Sequence, residues 1–335
     1  MSKLLLSFII ATLLLAGCLS PVAAPNALAP VNVCYVKGAS SQVAGLYAFE
    51  KGLFQKHGLQ VKLIAMESGS KAATALIAGD LDICLMSGTS IINGVAAGAD
   101  PVMIGGLINT YIYSLMVTPE IQTPADLKGK VLATNQAGGA TDVAIRATLK
   151  HFGLQPDVDV MLLAAGSQGE RLVAMEAGQA VGTIVTVPES VQATKKGFHQ
   201  LFDVASLQMP VSYVTVSSTR SYLAANRSLA LAFMRAISES VAAMKKDKPG
   251  TIEVLAKYLL LDVTTDADSL NEAYAVLVHK YMSTVPYPTI EGIQAEIEIL
   301  KVENPQVATL DPEAVVDMSL VRELEESGWF KQLYE

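Results

Sequence analysis

Short apolar runs alternate along the first two thirds of this chain with stretches whose apolar positions recur at helical spacing, which is the pattern of strands covered by helices. Residues 31–36 form the first run, and the turn Lys37-Gly38-Ala39-Ser40-Ser41-Gln42 leads from it into a helix that ends near Gly52. Further strands are predicted at residues 61–65, 82–87, 102–107, 114–117, 130–134, 160–164, 182–186, 202–205 and 214–217. From Ser228 onward the pattern is helical throughout, over residues 229–244, 251–260, 267–281, 290–300 and 312–327. Strand and helix in alternation predict an α/β fold with parallel pairing.

One part of the pattern occurs twice. The first copy reads His57-Gly58-Leu59-Gln60, an apolar run, Ser68, Ala78-Gly79 and a second apolar run. The second copy reads Phe152-Gly153-Leu154-Gln155, an apolar run, Ser167, Ala177-Gly178 and again an apolar run. Ser68 stands as far from Gly79 as Ser167 does from Gly178, so the two copies are in register. Each reads as a βαβ unit with its helix stopped by glycine and its two strands as parallel neighbours. Two such units predict two similar α/β lobes, and the cleft between them, at the carboxyl ends of the strands, is where a small ligand belongs.

A chain of 335 residues exceeds the usual size of one core, which agrees with two lobes. Apolar residues make up 51% and charged residues only 17%, excluding a disordered or coiled-coil protein. The formal charge of -8, with no basic cluster beyond paired lysines, argues against nucleic acid as a partner. The expected lobes are residues 31–113 with 214–335, and residues 114–213, the helical tail packing on the first. The chain crosses over near Asn109-Thr110-Tyr111-Ile112-Tyr113 and returns near Met209-Pro210-Val211-Ser212-Tyr213.

The first thirty residues differ from the rest. Lys3 precedes an apolar stretch over residues 4–16, short for a membrane span and suited to the core of an export signal. It ends in Leu15-Ala16-Gly17-Cys18, which resembles the lipobox of bacterial lipoproteins. That resemblance implies a signal peptide at residues 1–17, a lipidated Cys18 and a tether over residues 18–30, on the periplasmic side of a bacterial membrane. Soluble periplasmic export is the alternative, through Ala27-Leu28-Ala29, although Pro30 would obstruct that cut. The other two cysteines, Cys34 and Cys84, lie at similar positions on strands expected to be parallel neighbours, where disulfide geometry is hard to satisfy, so buried free thiols are expected.

An ordered set of motifs carries a second resemblance. Glu50-Lys51-Gly52-Leu53-Phe54-Gln55-Lys56-His57-Gly58-Leu59, Gly69-Ser70, Ala78-Gly79-Asp80-Leu81-Asp82, Pro124-Ala125-Asp126-Leu127-Lys128-Gly129-Lys130 and Tyr287-Pro288-Thr289 look like the solute-binding proteins of ABC importers in the nitrate, taurine and alkanesulfonate group. That superfamily also holds the thiamine-pyrimidine precursor synthases. The resemblance spans nearly all of residues 31–330 and implies a type-II periplasmic binding protein fold. It further implies a monomer that closes on a small organic anion and presents it to an ABC permease, without a cofactor.

Turn positions supply the candidate ligand contacts. Ser40, Ser41 and Gln42, then Ser68, Gly69 and Ser70, then Ser87, Gly88 and Thr89 each follow a strand of the first lobe and open a helix. Gly138, Gly139 and Thr141, then Ser167 and Gln168, then Val187 and Pro188 do the same in the second. Free N–H groups at helix starts favour anions, while the same residues also serve as ordinary caps and turns. Asn109, Tyr113 and Tyr213 sit by the crossings, where cleft and core packing compete for the side chains. Lys37 would supply a counter-charge if it points inward. Arg146 is expected to pair with Asp142 on a helix surface, and Arg171 to be solvated.

Catalytic signatures are missing. The four histidines show no metal-ligand spacing, and no G-x-S-x-G elbow or Walker loop appears. An enzyme like the precursor synthases is the rival reading. The export signal and the few His and Cys residues weigh against it. A ligand-sensing module would normally continue into a membrane helix, and the pattern after residue 31 contains none.

Overall fold

The computed structural model describes residues 28–335, so the signal peptide, Cys18 and most of the tether lie outside the described residues. In chain order the elements are β1 (Ala29–Val36), α1 (Val43–Glu50), α2 (Leu53–Lys56), β2 (Leu59–Met66), α3 (Gly69–Ile77), β3 (Ile83–Met86), α4 (Gly88–Ala96), β4 (Pro101–Thr110) and β5 (Ser114–Val117). Then come β6 (Val131–Thr134), α5 (Ala140–His151), β7 (Met161–Ala164), α6 (Gln168–Glu176), β8 (Gly182–Val185), α7 (Glu189–Lys195), β9 (His199–Asp203) and β10 (Pro210–Thr219). The tail follows as α8 (Arg220–Met244), α9 (Lys248–Leu259), α10 (Ala267–Tyr274), α11 (Ile290–Leu300), α12 (Ser319–Glu326) and α13 (Trp329–Tyr334).

The strands form two five-stranded sheets of matching order, β2-β1-β3-β10-β4 and β7-β6-β8-β5-β9. In each sheet the first three strands are parallel and the fourth joins antiparallel. The duplicated pattern occupies the same place in both: β2-α3-β3 in one, β7-α6-β8 in the other. Its two strands are not neighbours as the pattern suggested, because β1 or β6 lies between them. The crossover helix spans one strand width to leave that slot for an earlier segment of chain.

Local chemistry sets the ends of the repeated helices. Ser68 caps α3 by accepting the Lys71 N–H at 3.3 Å. Ser167 and Glu170 form a reciprocal capping box on α6, with the Ser167 N–H reaching Glu170 Oε2 at 2.7 Å. Gly79 and Gly178 end these helices at φ of +82° and +69°, a conformation open to glycine without strain.

The chain changes sheets between Thr110 and Ser114, and again between Asp203 and Pro210. Pro210–Tyr213, read from the sequence as the end of the second lobe, therefore belong to β10, where Pro210 pairs with Thr110. The strand β1 likewise starts at Ala29, inside the expected tether, because the Ala29 N–H finds the Gly58 carbonyl at 2.9 Å. The tail packs chiefly around the first sheet, α8 on α1 and α2, and α11 on β10 and α4. It also touches the second sheet's helices, α11 on α5 and α10 on α7.

Cys34 and Cys84 are joined as a disulfide, contrary to the expected free thiols. They face each other in the β1–β3 register with Cα atoms 4.5 Å apart, within the range a disulfide spans. The expected side-by-side placement of the two strands holds; the error lay in the geometry, because this register brings the two cysteines close enough to bridge.

Candidate functional site

Between the carboxyl ends of the two sheets lies a cavity of about 150 Å³. The first sheet lines it with the turns after β1, β2 and β3, and the second with the turns after β6 and β7, while Tyr113 and Tyr213 come from the crossings. Ser41, Gln42, Ser68, Gly69, Ser70, Ser87, Gly139, Thr141 and Ser167 all reach it, together with both tyrosines. The first turns of α3, α5 and α6 open into this space, so their free N–H groups and positive ends bias it towards an anion.

Close approach explains two of the glycines. A Cβ on Gly69 would stand 2.9 Å from Ser90 Oγ, and one on Gly139 would stand 2.6 Å from the Asn135 side-chain amide. Either would displace a polar group that lines the cavity.

Arg171 is the charged group at the heart of the site. It is 2% exposed, not solvated as expected. Its guanidinium donates to three neutral oxygens: Thr183 Oγ1 at 3.0 Å, the Gly166 carbonyl at 2.7 Å and the Ile184 carbonyl at 3.0 Å. Burial lowers its pKa from the usual arginine value. Glu189, within the field of that charge, is itself held up to about 7 by burial, and its Oε2 has no hydrogen-bond partner among the described atoms. The tyrosines cluster with ring centres 5.6 Å (Tyr111–Tyr113), 5.8 Å (Tyr111–Tyr213) and 5.1 Å (Tyr113–Tyr213) apart, and burial raises all three phenols.

A family model described as NMT1/THI5 like matches residues 40–249. The chain belongs to the NMT1/THI5-like family. No curated protein matches it by sequence. Among solved structures, the chain is similar to the periplasmic aliphatic sulphonate binding protein SsuA of Escherichia coli. Identity is 20% over 88% of this chain and 93% of that one, with a TM-score of 0.70. It is also similar to the alkanesulfonate-binding protein SsuA of Xanthomonas axonopodis pv. citri bound to MOPS, at 20% identity, 89% and 100% coverage and a TM-score of 0.69. The periplasmic nitrate-binding protein NrtA of Synechocystis PCC 6803 aligns at 14% identity, with 90% and 89% coverage and a TM-score of 0.74. These likenesses give this NMT1/THI5-like chain the periplasmic-binding-protein fold, with two α/β lobes.

Several sequence candidates in this family member lie off the cavity lining. Ser40 donates to the Val187 carbonyl at 2.6 Å and lies 3.3 Å from Thr186 Oγ1, joining the two lobes directly. Gly88 packs against Ser212 and Met103, and Thr89 is buried against Ser87. Asn109 donates to the Tyr287 carbonyl at 2.8 Å. Gly138 donates its N–H to Asp142 at 3.1 Å, and Pro188 follows a cis peptide bond at the start of α7. Arg146 pairs with Asp142 at 2.9 Å but is not a surface residue, for its side chain is only 12% exposed and also reaches Asp157 at 2.8 Å and Glu303 at 3.1 Å.

The lining also includes residues that the sequence reading passed over, among them Glu67, Ser90, Asn135, Gln136 and Gly166. Asn135 and Gln136 directly follow β6, the same positional rule that found their neighbours. Gln136 Nε2 bonds Ser70 Oγ, a second direct link between the lobes. Lys37 lines the exposed mouth beside Glu67. Among the described residues no cluster of His, Cys, Asp and Glu could hold a metal, and no helix is long and apolar enough to cross a membrane.

Proposed function

We propose that this chain is the extracytoplasmic solute-binding component of an ABC importer, and that it holds a small organic anion of carboxylate or sulfonate type between its lobes. Arg171 carries this reading. Its guanidinium hydrogen-bonds only neutral oxygens, and Glu189, the buried carboxyl in its field, is held up to about 7 and makes no ion pair with it, so an anion in the cavity would give the guanidinium a directly paired charge. Helix starts from both lobes add to the same field. The sulfonate- and nitrate-binding roles named for the similar structures point in the same direction.

In this reading the chain binds and delivers without catalysis. Its lobes are residues 31–113 with the chain from Pro210 onward, and the segment between, and Tyr113 and Tyr213 flank the ligand. Cys18 is the lipid anchor, tethering a monomer on the periplasmic side of the membrane beside its permease. The test is a thermal-shift screen of small anions, since a ligand at a hundred times its dissociation constant stabilises by about 2.7 kcal/mol. Replacing Arg171 with Gln should weaken the best anion at least about tenfold while the chain stays folded. Undiminished anion binding by a folded Arg171→Gln variant would sink the assignment.

A further inference from the structure

Glu189 lies behind the cavity lining without being part of it. It opens α7 two residues after Val187, whose carbonyl accepts the Ser40 hydroxyl of the other lobe at 2.6 Å. Its Oε2 is shut off from solvent and has no hydrogen-bond partner among the described atoms. Arg171 reaches the same end of β8 from α6, donating to Thr183 and Ile184. Tyr213 of the cavity wall lies in the field of both, so acid, phenol and guanidinium form one cluster beside the cavity.

Arg171 is also the charged group that acts on Glu189. The elements packed against α7 carry others: Glu170 and Glu176 on α6, His199 and Asp203 on β9, Asp268 and Glu272 on α10, with Lys195 and Lys196 on α7 itself. None of these reaches Glu189 with an appreciable field. Around Arg171, Glu170 is exposed and its hydrogen bonds to Ser167 hold its carboxyl below the usual value, while burial raises the phenols of Tyr113 and Tyr213. Those three keep one charge state from about pH 5.5 to about pH 9. Glu189, held up to about 7 by burial, changes its charge in the middle of that range.

A ligand anion beside Arg171 adds a negative charge to this water-poor cluster and makes a second one there costlier. The bound state therefore holds the Glu189 proton more tightly than the empty one, and takes it from solvent wherever the empty state has lost it. Below about 7 the acid is neutral with or without ligand, and the affinity is flat. Above about 7 the affinity falls by up to about tenfold per pH unit, until the pH passes the higher value that the bound state gives Glu189.

On the anion reading above, we propose that Glu189 acts through Arg171 as a proton-linked control on affinity: seating the anion makes its carboxyl take up a proton, so the cleft binds tightly in acid surroundings and lets go more readily in alkaline ones.

The test uses ethanesulfonate and nitrate, whose own charge does not change over this range, in amine buffers that do not compete as anions. Calorimetry on the exported chain should show binding weaker by about tenfold at about pH 8.5 than at about pH 6. Comparing Tris with Bis-Tris at about pH 7.5, the dependence of the heat on buffer should report uptake of most of one proton per anion bound. Glu189→Gln, which mimics the protonated acid, should flatten the pH profile, whereas Glu296→Gln should leave the slope in place. Equal affinity across the range with no proton uptake overturns the inference and leaves the anion site standing. A slope that survives in Glu189→Gln, or disappears in Glu296→Gln, overturns it in favour of another group. Should Glu189→Gln not fold, the parent's slope and proton count decide. Binding of neither anion at any pH removes the anion site itself, and the inference with it.

Discussion

Glu296 carries a carboxyl with no exposed surface into the junction between the sheets. From α11 it accepts the Ser212 N–H at 3.2 Å, next to Tyr213 of the cavity, while its other oxygen, the Ser212 hydroxyl and the Tyr111 phenol have no hydrogen-bond partner among the described atoms. Burial pushes Glu296 from about 4.5 to about 8, so the folded chain holds this proton at neutral pH. Because the folded value lies above the unfolded one, the stabilisation is complete only below about 4.5 and drains away as the pH rises towards about 8. Glu296→Gln keeps an acceptor for Ser212 and cannot ionise. The melting temperature of this variant should therefore gain on the parent steadily across that window. A constant difference between the two over the same range would show that Glu296 does not titrate there.

At the scale of elements, the duplicated βαβ pattern makes a matched prediction. Gly79 and Gly178 end equivalent helices in the left-handed region, and a Cβ at either would meet nothing within 4 Å. The cost of alanine at each is thus backbone strain alone, about 1–2 kcal/mol, and should be similar in the two lobes. Chemical denaturation of Gly79→Ala and Gly178→Ala would check it. A neutral outcome at both would mean that the helix ends relax. These caps were legible in the sequence because they are written by residues close together in the chain. Lateral order was legible only in part: the strands of Cys34 and Cys84 were expected side by side, as they are, but nothing in the runs flanking Ser68 says that β1 will lie between them. Arg171 falls between these cases. Its position in the first helical turn suggested solvent, yet Arg171, Ala174 and Met175 stand at i, i+3 and i+4, and that buried face was present in the spacing. Ser40 shows the opposite limit, for its place after a strand was visible, whereas its partner Val187 belongs to the other lobe.

Across the whole molecule the two lobes meet through Ser40 and Val187, Ser70 and Gln136, and Arg146 and Glu303, so the cavity is bounded by direct contacts as well as by the crossings. The chain enters the first sheet at Ala29 in β1, so an anchor at Cys18 would hold the first lobe and leave the second to move against it. Acyl chains contribute about 0.8 kcal/mol per buried methylene, and more than one chain is needed for stable attachment, as lipoprotein processing supplies. Cys18→Ser should therefore shift the chain from the membrane fraction to the soluble one, or leave it as unprocessed precursor, when cell fractions are compared by immunoblot. Among the described residues, every one that lines the cavity lies at or beyond Val36, so the soluble variant should give the same ligand-induced thermal shift as the parent. If Cys18→Ser is processed normally and stays with the membrane, the lipid anchor is refuted and the soluble-export alternative through Ala27-Leu28-Ala29 must be weighed against attachment by some other segment.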